Sequence, residues 1–259
     1  AAHTRVSCVD GVNGELYYQG YNIHDLAERT CVEEVIYLLW HGRLPDANEL
    51  KRFKAELVNE MRLPSQVIKM MELAPPHGNP MSVLRTAVSM LSMYDPDADN
   101  ITEEANRRKA TRLVAQVPTI IADLNCIRKQ SSVISPDPRL GLADNFLYMI
   151  RGELPSQQER DVMDVLMMLH LDHGLNASTF TGRVITSTLS DMHSALAGAI
   201  GCLKGPLHGG ANQRVMEMIK DIEHPDEVTE YIRGMLEDKE KVMGFGHRVY
   251  KTYDPRAKI

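Results

Sequence analysis

Between residues 32 and 240 apolar side chains recur at helical spacing, and the polar residues that interrupt them fall where helices begin. Thr30-x-x-Glu33, Asp46-x-x-Glu49, Asn100-x-x-Glu103 and Ser156-x-x-Glu159 each set a short polar side chain three residues before a Glu and ahead of an apolar run. That spacing lets both side chains bond the free N–H groups of a first helical turn. The pattern predicts helices over 32–41, 46–62, 65–73, 80–94, 101–129, 141–151, 156–172, 177–204, 209–222 and 226–240, with Gly42, Gly152 and Gly205 as C-terminal stops. Only Arg5 to Tyr18 reads as strand. There Val6, Cys8, Leu16, Tyr17 and Tyr18 flank the turn-rich Asp10 to Gly14, which predicts a β-hairpin. The expected fold is all-α and multi-helical, with a short N-terminal β-hairpin.

Along 161–170, Val162, Met163, Val165, Leu166, Met167, Met168 and Leu169 cover almost every face of a helix, so neighbours are expected to enclose it. In 177–204, Ala197, Gly201 and Gly205 repeat at four-residue spacing beside Ser194, Gly198 and Cys202, a small-sided stripe that another helix can approach closely. Residues 161–204 are therefore expected to supply much of a two-fold helix–helix interface in a homodimer. Gln130 to Gly141, with Ser, Pro and Asp but little apolar content, is the nearest thing to a linker.

Composition narrows the function classes. A chain of 259 residues with 43% hydrophobic and 25% charged content is an ordinary globular sequence with ample core. Its formal charge of −6 argues against a nucleic-acid partner. No run approaches the roughly 18 apolar residues of a membrane helix. No apolar leader is read at the N-terminus, and a cytoplasmic location is expected. Cys8, Cys31, Cys126 and Cys202 stand far apart, which suggests neither a disulfide framework nor a zinc site. The acidic total conceals one basic stretch: Lys241, Arg248, Lys251, Arg256 and Lys258 stand against Asp254 alone between Lys241 and Ile259. A solvated face is the common meaning of such a run, and anion binding the less common one.

Three histidine-bearing stretches carry the candidate chemistry. The first, His170 to Ser178, brings His170, Asp172, His173, Asn176 and Ser178 together at the end of the apolar helix. The second, Gly205 to Gln213, holds His208 between Pro206 and the pair Gly209 and Gly210, where an imidazole titrating near neutrality would sit on constrained backbone. A plain helix–loop–helix corner is the alternative reading of that stretch. The third, Gly244 to Arg256, sets two glycines, His247, Lys251 and Arg256 within a short span, groups suited to a phosphate or carboxylate. His170 and His173 lack the His-Glu-x-x-His spacing of a zinc helix, so no metal is expected. Ser178 lacks the Gly-x-Ser-x-Gly turn of a hydrolase nucleophile.

Together these stretches resemble the citrate synthase family, in its shorter bacterial and archaeal type, with 2-methylcitrate synthases as close relatives. The resemblance covers essentially the whole chain, from Tyr17-Tyr-Gln-Gly-Tyr-Asn-Ile-His-Asp-Leu-Ala27 onward. Its specific parts are Gly205-Pro-Leu-His-Gly-Gly-Ala-Asn212 and Gly244-Phe-Gly-His-Arg-Val-Tyr250. It implies a large helical domain over 1–208, the start of a small domain over 209–259, and a homodimer. It also implies condensation of acetyl-CoA with oxaloacetate and water to give citrate and CoA, with no cofactor beyond the coenzyme A thioester substrate. By the same matching His208 donates to the incipient enolate, His247 polarises the ketone, and His173 and Arg256 bind the oxaloacetate carboxylates. Ser178 orients His208 from behind, and Gly244, Phe245, Gly246 and Lys251 meet coenzyme A.

Two departures from the family pattern stand out. Gly174 replaces the Glu that usually follows the substrate-binding histidine. The family's carboxylate base and further arginines lie beyond the Asp-Pro-Arg segment, so the chain resembles a C-terminally truncated synthase that is expected to be inactive alone. Asp254 belongs to the Asp-Pro-Arg turn and does not fill that vacancy. The alternatives are a 2-methylcitrate synthase using propionyl-CoA and a non-catalytic helical homologue that binds an anion or a protein.

Overall fold

The computed structural model describes residues 3–247 and 249–259. The hairpin is present as β1 (Ser7–Asp10) and β2 (Glu15–Tyr18), pairing Ser7 with Tyr18 and Asp10 with Glu15, and a two-residue β3 (Tyr21–Asn22) extends it. Asp10 folds the turn, its Oδ1 accepting from the N–H groups of Val12 and Asn13 at 2.9 Å each. Leu16 and Tyr18 point to the buried side of β2. A helix unforeseen in the sequence follows at once: α1 (Ile23–Arg29) starts where the Asn22 side chain accepts from His24 N–H.

The next helices fall within a few residues of their predicted spans: α2 (Val32–His41), α3 (Ala47–Glu60), α4 (Ser65–Glu72), α5 (Pro80–Leu91), α6 (Glu103–Arg128), α7 (Leu142–Arg151) and α8 (Gln157–Leu169). The capping boxes at Asp46 and Ser156 form as read. The first box sits one residue later, because Cys31 takes the cap position and Glu34 closes it at 2.8 Å. Glu33 is thereby freed to turn inward, where it accepts from Leu142 N–H at 2.8 Å and faces Lys54 at 3.6 Å. Thr102, not Asn100, caps α6. Gly42 and Gly152 close α2 and α7 at φ 73° and 84°, the left-handed region that favours glycine.

The predicted helix 177–204 is two helices, α9 (Ala177–Thr186) and α10 (Met192–Leu203). Leu189 adopts φ 62°, which a helix cannot continue through, and the Asp191 carboxylate restarts the chain by accepting from Ser194 N–H at 2.9 Å. Nor does Gly205 close α10, which ends in right-handed geometry at Lys204. The small-sided stripe does serve packing: a side-chain carbon on Gly198 would strike Ile185 of α9, and Gly201 lies against Arg85 of α5.

Two apolar clusters form the interior. One joins the sheet, α1, α2, α3 and α8 through Leu16, Tyr18, Leu26, Leu38, Leu57 and Met168. The other joins α4, α5, α6 and α10 through Val67, Met71, Val88, Leu91, Ile120 and Ile200. The helix through 161–170 is not enclosed on all sides in the single chain. Met168 and Leu169 are buried, while Val162 and Leu166 face outward. α11 (Gly210–Lys220) and α12 (Val228–Glu237) bury no residue.

Candidate active site

The first histidine stretch forms the turn between α8 and α9. His170 closes α8, its Nδ1 lying 2.7 Å from the Leu166 carbonyl, and Asn176 opens α9 by accepting from Thr179 N–H at 2.9 Å. Between them Gly174 sits at φ 66°, a conformation costly for the Glu that the family pattern carries there. The hairpin ties this turn down: the Tyr18 hydroxyl donates to the Asp172 carbonyl at 2.7 Å and accepts from its N–H at 3.2 Å.

His208 lies just ahead of α11. Its backbone N–H donates to Gly205 O, and Gly209 N–H donates to Leu203 O, each at 3.0 Å. Glycine is required at 209 because any side-chain carbon would meet the Leu203 carbonyl. Behind the ring, Ser178 Oγ stands 2.8 Å from His208 Nε2 and 3.0 Å from the Ala199 carbonyl oxygen.

The third stretch returns to the N-terminal hairpin. Lys251 N–H donates to Gly11 O at 2.7 Å, and Gly11 admits no side chain because the Val249 carbonyl occupies that space. Tyr250 and Pro255 are buried, and Asp254 accepts from Arg256 N–H at 3.0 Å to turn the chain. His247 Nδ1 accepts from two backbone N–H groups, those of Val249 at 3.1 Å and Tyr250 at 3.3 Å. A nitrogen that accepts carries no proton, so neutral His247 holds its N–H on Nε2.

These segments meet. His173, His208, Gly246, His247 and Arg256 line one cleft of about 790 Å³, with Val9 and Ser7 of the hairpin on its wall. The His173 and His247 rings meet edge to face with centroids 5.2 Å apart. Ser178 stands behind His208. Gly244, Phe245 and Lys251 do not line the cleft, and Phe245 is 79% exposed. Arg248 lies outside the described residues. The sequence reading placed Tyr18 and Gly11 in the hairpin and Tyr250 in the third stretch, but their long-range contacts went unread, since each acts on a segment distant along the chain and leaves no local pattern.

Burial, reinforced by the Arg256 charge, pulls His173 down to about 4, and burial also lowers His247. Both imidazoles are therefore neutral at pH 7. Burial opposes charge on Arg256 too, but the two hydrogen bonds to Asp254, at 2.6 and 3.0 Å, more than offset it and keep the guanidinium charged. Those bonds use Nε and one Nη2 hydrogen, leaving the rest of the fork without an acceptor among the described residues. His173, His247 and Asp254 could each turn a donor atom to a common point, their atoms lying within 4.8 Å of one another. Arg256 occupies both Asp254 oxygens and places a positive charge beside that point, so the set suits an anion better than a cation.

Two neutral imidazoles and a guanidinium lining one cleft of a helical frame are groups able to stabilise charge on carbonyl and carboxylate oxygens, as an acyl-transfer enzyme requires. Residues 1–259 match the family model described as citrate synthase, C-terminal domain, and the chain belongs to the citrate synthase family, as a citrate synthase-like acyltransferase. Citrate synthase 2 of Bacillus subtilis (strain 168) is 50% identical over 250 residues, spanning 95% of this chain and 67% of the relative. The 2-methylcitrate synthase of Mycobacterium tuberculosis (strain ATCC 25618 / H37Rv) is 44% identical over 254 residues, 98% of this chain and 64% of that protein. The solved citrate synthase of Thermoplasma acidophilum, a ternary complex with carboxymethyl coenzyme A and oxaloacetate, superposes with a TM-score of 0.91 at 32% identity. It covers 99% of this chain and 68% of that one.

Proposed function

We propose that the cleft binds oxaloacetate and presents it to the enolate of acetyl-CoA, so that the whole protein forms citrate and CoA. The observation that carries this reading is the convergence of His173, His208, His247 and Arg256, from three distant stretches, on one cleft. Arg256 and His173 hold the carboxylates of the dicarboxylate. His247, with its proton on Nε2, donates to the ketone oxygen and makes the carbonyl carbon more electrophilic.

The acetyl methyl group is a weak acid, and its proton leaves only if the charge growing on the thioester oxygen is stabilised. His208 supplies that donor. When the Ser178 hydroxyl turns to Nε2, the ring proton stands on Nδ1, and the helical carbonyl of Ala199 keeps its bond from the helix backbone. A carboxylate base, which the family resemblance places beyond the Asp-Pro-Arg segment, takes the methyl proton. The enolate carbon then attacks the ketone carbon, the new alkoxide takes up one proton in return, and water cleaves the acyl–sulfur bond, its hydroxyl joining the acyl carbon and its proton the departing CoA thiolate. Asp254 is held by Arg256 and is not the proton acceptor. Gly244, Phe245, Gly246 and Lys251 are assigned to coenzyme A, supported by the exposure of Phe245 and Lys251 beside the cleft.

We assign 1–208 to a large domain and 209–259 to the start of a small one, a division supported by the two interior clusters, which draw all their residues from before 209. The proposed assembly is a homodimer, supported by the apolar side chains that α8 and α9 leave outside. The test is CoA thiol release by the whole protein with oxaloacetate and either acetyl-CoA or propionyl-CoA. Faster release with acetyl-CoA is expected. Faster release with propionyl-CoA would make it a 2-methylcitrate synthase, the name some relatives carry, and no release with either would sink the reading.

A further inference from the structure

The Tyr250 side chain is 5% exposed and its hydroxyl lies 3.0 Å from His173 Nε2. Among the described residues that nitrogen is its one hydrogen-bond partner. A single proton must lie between the two atoms, since neutral imidazole bears one N–H and the phenol one O–H. If His173 carried its proton on Nε2, that N–H would point at the phenol oxygen and the buried O–H would be left without an acceptor, a costly arrangement. If Tyr250 donates instead, every proton is used. The imidazole proton then stands on Nδ1, which has no protein partner among the described residues and is not a buried atom, so it is open to the cleft that His173 lines. Burial holds the phenol up at about 12 and the imidazole down at about 4, so neither exchanges its neutral form at pH 7.

We propose that Tyr250 is a positioning residue that donates its hydroxyl to His173 Nε2, fixing this imidazole as a neutral donor with its N–H on Nδ1 facing a substrate carboxylate. With the opposite tautomer, His173 would turn a lone pair toward the anion and repel it. His247 reaches the complementary state by another route, its Nδ1 occupied by backbone N–H groups. The two rings touch, yet each has its outward proton set by a separate device. The Tyr250 ring packs on both, with centroids 5.5 Å from His173 and 4.8 Å from His247, so Tyr250→Phe keeps the packing and removes only the donor.

The inference rests on the oxaloacetate reading of the cleft, but its first test does not. In the whole protein labelled with ¹⁵N-histidine, long-range ¹H–¹⁵N spectra at pH 7 should show His173 protonated on Nδ1, its signals assigned by their loss in His173→Gln. Tyr250→Phe should move that proton toward Nε2. A parent His173 protonated on Nε2 overturns the proposal whether or not oxaloacetate binds, and so does a tautomer unchanged in the Phe variant. The second test is oxaloacetate affinity by calorimetry, which needs no turnover. Tyr250→Phe should weaken binding about tenfold, the loss of one well-placed donor. In a His173→Gln background the same change should weaken it no further. Additive losses would show that Tyr250 acts apart from His173 and would overturn the assignment. Failure of the parent to bind oxaloacetate at all would instead sink the functional reading and leave the tautomer to the spectra.

Discussion

The histidines of the cleft differ in what their loss should cost. In the proposed reaction His208 donates to the thioester oxygen, which gains charge only in the transition state, so His208→Ala should lower kcat about 100-fold or more and change oxaloacetate affinity much less. The proposed partners of His173 and Arg256 are carboxylates already charged in the ground state, so their Ala variants should chiefly raise KM for oxaloacetate. Steady-state kinetics on the whole protein separate the two patterns, and equal effects on affinity from all three would contradict the assigned roles. His173 also links stability to pH. Its ordinary value is 6.5 and the folded protein holds it at about 4. Between those values the unfolded chain binds a proton that the folded chain refuses, so stability falls as pH drops from 6.5 toward 4. Urea denaturation at pH 7 and pH 5 should show a smaller loss in His173→Gln than in the parent; equal losses would show that His173 titrates normally when folded.

At the scale of elements, the hairpin holds two of the segments that build the cleft. Tyr18 grips Asp172 beside His173, and Gly11 grips Lys251 beside Tyr250. Tyr18→Phe removes one grip and Gly11→Val, which forces a side chain into the Val249 carbonyl, removes the other. Each should raise KM for oxaloacetate several-fold, and Gly11→Val should also lower thermal stability, as overpacking of a closed contact does by about 1–3 kcal/mol. Wild-type kinetics and melting in Gly11→Val would show that the hairpin merely covers the pocket. The hairpin and most helices were legible because alternation, apolar periodicity and caps act within a few residues. The α9–α10 break was less so. Its cap, Asp191, lies inside a run whose apolar and small residues keep helical spacing, and the left-handed turn at Leu189 bears no glycine to announce it.

The whole molecule leaves apolar side chains outside. Phe180 and Val184 stand one turn apart on α9 at 60% and 50% exposure, an unusual display for a free helix. In the proposed homodimer they are covered. Replacing both by Asp should shift the protein from dimer to monomer in light scattering at micromolar concentration, with the helical circular dichroism kept. A variant that stays dimeric would move the interface elsewhere, and a monomeric parent would remove it.

Residue types and local spacing, read from the sequence, sufficed for the helical class, the hairpin and the three histidine stretches, because caps, turns and periodicity are short-range. The motifs also carried the family, and with it the expected roles of His173, His208, His247 and Arg256. Tertiary structure alone decided that these side chains share a cleft, that Asp254 is spent on Arg256, and that Tyr250 faces His173. Those are contacts between segments far apart along the chain, made by folding and governed by burial and hydrogen-bond geometry. The charge states followed from the same cause: the His173 and His247 imidazoles have lowered proton affinity because the fold removes water and sets a guanidinium beside them, and nothing in their neighbours along the chain encodes that surrounding.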